Sequence, residues 1–115
     1  MASDLASRQC VPCEGGVPPL RGQDLKRLQG ELGEAWVLVD EHHLQRRFEL
    51  ANFREALDLT NRIGELAENE KHHPVICLSW GTVEVTLYTH KIDGLTESDF
   101  ILAAKIDQLS LPASP

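Results

Sequence analysis

Pro74 is the residue that most constrains how this chain folds. Proline disfavours the helical region for the residue before it, so His73 must be extended and a helix arriving from upstream must end near His72. A helix does arrive there. Phe53, Ala56, Leu57, Thr60, Ile63 and Ala67 follow the i, i+3, i+4, i+7 spacing of one buried face. Asn52 is placed as its N-cap, with Glu55 three residues later. Beyond the proline the pattern changes from helical to alternating. Val75 to Trp80 reads as an apolar strand and Gly81 as a turn or bulge. From Thr82 to Thr89, Val83, Val85 and Leu87 fall on one face and Glu84, Thr86 and Tyr88 on the other.

The flanks complete the pattern. Leu25, Leu28 and Leu32 give a short helix from Gln23 that Gly33 ends. Trp36 to Val39 is a buried-type strand, Asp40 to His43 a polar turn, and Leu44 to Leu50 the second strand of a hairpin, with Leu44, Phe48 and Leu50 on one parity. Thr96 is the N-cap of a last helix, with Asp99 at N3 and Leu95 and Phe100 at the two hydrophobic-staple positions. That helix runs to about Leu109, before Pro112. The order α-β-β-α-β-β-α, built mostly from hairpins, predicts an α+β fold. A four-stranded antiparallel sheet carries the helices on one face, that of Val83, Val85 and Leu87.

Composition narrows the class. With 115 residues, 42% hydrophobic and 25% charged, the chain is one globular domain. Residues 1–20, rich in Gly, Pro and Ser, read as a flexible arm, and 21–115 as the domain. A net charge of −7 argues against binding a phosphate backbone, so no nucleic-acid partner is expected. No apolar run approaches a membrane span, and MASDLASRQC lacks the apolar core of a secretory signal, so cytoplasmic residence is expected. Cys10-Val-Pro-Cys13 is a CxxC without a second pair, in a Gly/Pro-rich context. It reads as part of the arm rather than a zinc or redox site. Cys77, inside an apolar strand, reads as core.

Five histidines remain to be explained. His42-His43 lies in a polar turn, which accounts for it as a solvated pair. His72-His73 falls where a helix feeds a strand, and His90 follows at the exit of the next strand. Two short strands and a turn between them could bring all three imidazoles together. On spacing alone two readings stand: residues capping a helix C-terminus, where cationic side chains are favoured, or a site. A joint metal site is awkward, because neighbouring residues point apart in both strand and helix, and no HExxH pattern is present. Proton transfer suits imidazole better, with its ordinary pKa of about 6.5. The helix dipole would favour His72 as an acid, and Glu68, four residues earlier, could orient it. No motif places a serine or cysteine nucleophile beside them.

Glu68-x-x-x-His72-His73-Pro74, with Trp80 after five residues, His90 after nine more and Asp99 after eight more, resembles the signature of the pterin-4a-carbinolamine dehydratases. Thr89-His90 with Gly94-Leu95-Thr96-Glu97 and Asp99-Phe100, and Arg47-Phe48 with Asn52-Phe53-Arg54, are similar to the family's strand exit and helices. The resemblance covers about Leu20 to Leu109. Val75 and Ile76 depart from it, since the family often has an acidic residue and an aromatic after the proline. Lys71 departs too, standing where an acidic or small polar residue is common.

The resemblance implies a hydro-lyase that removes water from a 4a-hydroxytetrahydropterin to give quinonoid dihydropterin, in recycling of a tetrahydrobiopterin-type cofactor. It implies that His72 and His90 carry the proton transfers and that His73 binds or orients the pterin. Glu68, Trp80 and Asp99 would bind or orient. It implies no bound cofactor and no metal, a homodimer or homotetramer, and an aromatic amino acid hydroxylase as a pathway partner. Some family members act instead as dimerisation partners or coactivators, so a protein-binding module is the alternative. A zinc protein is the weakest reading.

Overall fold

The computed structural model describes residues 5–8 and 19–110. After a single 3-10 turn at Leu5–Ser7, the elements are α1 (Gln23–Leu32), β1 (Val37–Val39), β2 (His43–Glu49), α2 (Phe53–Glu70), β3 (Val75–Leu78), β4 (Thr82–Leu87) and α3 (Glu97–Ser110). This is the α+β order expected from the sequence. The four strands form one antiparallel sheet in the order β1-β2-β4-β3. β2 and β4 are therefore central, and α2 with β3 forms the connection between them. Leu44 stands opposite Leu87 and Phe48 opposite Val83. That register carries the turn of the first hairpin toward the C-terminal end of β4. The turn has positive φ at both Asp40 and Glu41, as a tight hairpin turn matching the strand twist requires.

Val83, Val85 and Leu87 are fully buried beneath the helices. α2 covers them with Ala56, Leu59, Ile63 and Ala67. The expected face is thus rotated: Leu59 belongs to it, whereas Phe53, in the first turn, is 45% exposed. β3 is an edge strand and ends at Leu78, two residues short of expectation. Ile76 and Leu78 pack on the core, while Val75 and Cys77 alternate to the outer face. Cys77 is therefore exposed rather than in the core.

α3 buries Phe100, Ile101, Leu102, Ala103 and Ile106, more than one face can supply, so it needs cover on several sides. α1 and α2 supply part of it, and Leu5, fully buried, supplies another part. Arg8 then pairs with Glu97 at 2.5 Å and with Glu31 at 3.5 Å. Residues 5–8 therefore pack against α3 and pair with α1. The Cys10/Cys13 pair lies outside the described residues. Among the described residues, no helix is long and apolar enough to cross a membrane.

A polar cluster is built into the core side of the first hairpin. Arg46 shares the inward parity of Leu44 and Phe48, lies over the Phe48 ring at 4.3 Å, and pairs with Asp107 of α3. The Trp36 indole N–H donates to the same carboxylate at 2.8 Å. Burial pushes the Asp107 carboxyl above its ordinary value of 3.8, against the opposing pull of the Trp36 hydrogen bond and the Arg46 charge. A raised acid binds its proton more tightly in the native state than in the unfolded chain. Its stabilising contribution is then full below pH 3.8 and lost as the pH rises through the folded value. The stability of the wild type minus that of Asp107→Asn, from urea melts across pH, should fall as the pH increases above 3.8. A difference that grows with pH would mean that Arg46 outweighs burial.

Candidate active site

α2 ends in a backbone pattern that aims the next residues. Lys71 is left-handed (φ 57°), its N–H bonds the Glu68 carbonyl at 3.3 Å, and the His72 N–H reaches back to Ala67 at 3.2 Å. A lysine in this conformation costs on the order of 1 kcal/mol relative to glycine. With Pro74 behind it, the turn fixes where His72 and His73 leave the helix.

His90 comes from the other direction, just past β4. Thr89 and Gly94 close a tight turn: the Thr89 N–H bonds the Gly94 carbonyl at 2.8 Å, and the Asp93 N–H bonds the Thr89 carbonyl at 2.8 Å. Gly94 has to be glycine because an added Cβ would lie 2.6 Å from the Pro19 side chain. His72, His73 and His90 line one open cavity of about 360 Å³, together with Lys71, Tyr88, Thr89 and Lys91.

His72 is the anchored histidine. Its Nε2 lies 2.6 Å from Oδ1 of Asp99, which is completely buried. The other oxygen of Asp99 accepts from the Thr89 hydroxyl at 2.8 Å and from the Thr96 backbone N–H at 2.9 Å. That last bond is one half of a capping box, so a single carboxylate both starts α3 and holds a histidine. A carboxylate can only accept, so the Nε2 of His72 carries a proton toward Asp99 and Nδ1 is the nitrogen left to exchange one.

The expected partner of His72 was Glu68. Its carboxylate instead lies 3.2 Å from Nε2 of His73, and both side chains are largely exposed. The left-handed turn at Lys71 breaks the helical i, i+4 relation and sends His72 inward, leaving Glu68 beside the next residue. Trp80 is not brought to the cavity either. It is 69% exposed in the turn between β3 and β4, at the end of β4 remote from His90. Among the described residues, no group of three or more histidine, cysteine or carboxylate side chains is placed to hold a metal ion.

Two further rings reach this region. The His90 ring stacks on Tyr88, with centroids 4.4 Å apart and planes 2° from parallel. His42 lies against Tyr88 at 4.8 Å, and its Nε2 is 2.8 Å from Asp93 Oδ1. The expectation of a merely solvated His42-His43 pair therefore does not hold for His42. Its only sequence cue was the strict alternation of β2 and β4, which does not give the register between them.

The site is thus a group of imidazoles at the C-terminal end of β4 in an antiparallel α+β sandwich, one of them held by a buried carboxylate. The pterin 4 alpha carbinolamine dehydratase family matches residues 18–109, and the chain belongs to that family of hydro-lyases. A protein of Rubrobacter xylanophilus provisionally named pterin-4-alpha-carbinolamine dehydratase is 63% identical over 107 residues, 93% of this chain and 99% of its own. One of the same name from Alkaliphilus metalliredigens is 54% identical, over 92% and 96% of the two chains. Among solved structures, a transcriptional coactivator/pterin dehydratase from Brucella melitensis superposes with a TM-score of 0.74. It is 28% identical, over 80% of this chain and 98% of its own. A pterin dehydratase-like RuBisCO assembly factor of the alpha-carboxysome shares the fold, with a TM-score of 0.59 and 21% identity over 70% and 94%.

Proposed function

We propose that the site removes water from a 4a-hydroxytetrahydropterin by histidine acid–base catalysis, recycling a tetrahydrobiopterin-type cofactor. The observation that carries this reading is the common cavity lined by His72, His73 and His90, with His72 held by Asp99. One imidazole gives a proton to the hydroxyl on C4a, and the C4a–O bond breaks as water leaves. The N5 lone pair forms the C4a=N5 double bond, and the N5 proton passes to the second imidazole. The products are quinonoid dihydropterin and water, and a proton returned between the histidines or through solvent resets the site. General acid–base help of this kind contributes roughly 10²–10⁴-fold. His72 and His90 are the two proton carriers, and His73, more exposed and paired with Glu68, orients the pterin.

Association into a homodimer or homotetramer belongs to this reading. Both edge strands expose a valine, Val37 on β1 and Val75 on β3, and an antiparallel edge strand is a ready contact for a second copy. The function is tested by following the absorbance change as purified protein is added to 4a-hydroxytetrahydropterin generated in place. Acceleration over buffer is expected, and its absence would leave the protein-binding alternative, for which the coactivator-named relative of Brucella melitensis is the precedent.

A further inference from the structure

The three histidines are not held alike. His72 has Asp99 and His73 has Glu68. The His90 ring is exposed and, among the described residues, makes neither a hydrogen bond nor an ion pair. An exposed imidazole with two rotatable bonds samples several rotamers unless something restrains it. Among the described residues, the one restraint on the ring is its parallel stack on Tyr88, at 4.4 Å and 2°.

Tyr88 is itself braced. His42 leans on it at 4.8 Å and 40°. His42 is fixed through both ring nitrogens, Nε2 to Asp93 at 2.8 Å and Nδ1 to Nδ1 of His43 at 3.1 Å. Asp93 is presented by the same Thr89–Gly94 turn that carries His90, and it sits in a left-handed conformation (φ 56°). The turn bearing the histidine thus holds the ring that braces the tyrosine on which that histidine rests.

We propose that Tyr88, braced by His42 through Asp93, is a positioning residue for His90. The inference rests on the reading that His90 moves a proton. It identifies the aromatic face of Tyr88 as the group that keeps the His90 ring in place, and the phenol hydroxyl as dispensable. Displacing a reacting group by about 1 Å costs on the order of 10²-fold in rate, so a loosened ring should be visible in turnover.

The test compares Tyr88→Leu, Tyr88→Phe and His42→Ala, each with a melting curve to establish folding. Tyr88→Leu should lower kcat by about 10-fold to 10²-fold with KM nearly unchanged. Tyr88→Phe should restore it, and His42→Ala should show a weaker form of the same loss. The His90 ring-proton resonances, assigned by their absence in His90→Ala, should lie upfield through the ring current of Tyr88. They should stay there in Tyr88→Phe and move to ordinary positions in Tyr88→Leu. A loss shared by Tyr88→Phe overturns the proposal, because it puts the chemistry on the hydroxyl. So does a rise in KM at constant kcat, which makes Tyr88 a substrate contact, and so do unmoved resonances in Tyr88→Leu. If His90→Ala keeps full kcat, the proton-transfer reading fails, which the resonance measurement separates from failure of the stack.

Discussion

Alanine at both His72 and His90 should bring dehydration of 4a-hydroxytetrahydropterin close to the rate in buffer, while the protein stays folded at room temperature. Each imidazole is assigned one proton movement, and each such movement is worth roughly 10²–10⁴-fold. The two losses should not multiply. Departure of the hydroxyl and loss of the N5 proton belong to one elimination, so the second removal acts on a step the first has already crippled. The single variants should also differ in stability. The His90 side chain is exposed and has no polar partner among the described residues, so His90→Ala should melt like the wild type. His72→Ala leaves one oxygen of a fully buried carboxylate without its imidazole, at a cost of about 1–3 kcal/mol. Stopped-flow turnover and thermal melts of the three variants check both parts. Full turnover in the double variant would remove the histidines from the chemistry.

Asp99→Asn should lower kcat by about two to three decades, comparable to removing a proton-carrying group. The amide keeps an oxygen for the Thr89 hydroxyl and the Thr96 N–H, now at 2.8 and 2.9 Å. Facing His72 at 2.6 Å it presents an NH₂ group, which clashes with a ring N–H and forces the other tautomer or another orientation. The helix start is retained, so the melting temperature should move by no more than a few degrees, about 1 kcal/mol in a domain of this size. Asp99→Ala should differ. It also removes the reciprocal cap of α3, and a helix cap is worth about 1 kcal/mol. Equal kcat in the wild type and Asp99→Asn would show that His72 needs no charge behind it.

Much of this architecture was legible in local patterns. α1 begins and ends at the residues its leucine spacing and Gly33 require. The staple pair Leu95 and Phe100 is fully buried, and the Val83, Val85, Leu87 face is the buried one. These features depend on neighbours in sequence. What escaped depends on contacts between distant segments. The pairing of Arg46 with Asp107 joins β2 to α3, and His42 meets Asp93 across the sheet. Neither follows from periodicity, because register between β2 and β4 is set only when both strands and the helices above them pack together. Glu68 was assigned by helical spacing to His72, and that spacing fails where Lys71 turns left-handed. Leu5 went unrecognised as a core residue because a lone leucine in a polar stretch carries no period. The apolar excess of α3 was the cue that something had to cover it.

The two duties of Asp99 have a consequence for recognising activity across relatives of this domain. A descendant that abandons catalysis still needs a residue to begin α3 and to satisfy the Thr89 hydroxyl, so selection for folding alone preserves this aspartate. His90 has no such obligation, because its exposed ring, among the described residues, makes no hydrogen bond and caps no helix. Presence of the aspartate would therefore mark only descent, whereas, on the proposed role of His90, the identity of the residue at position 90 should separate working enzymes from domains that have kept the scaffold for another purpose.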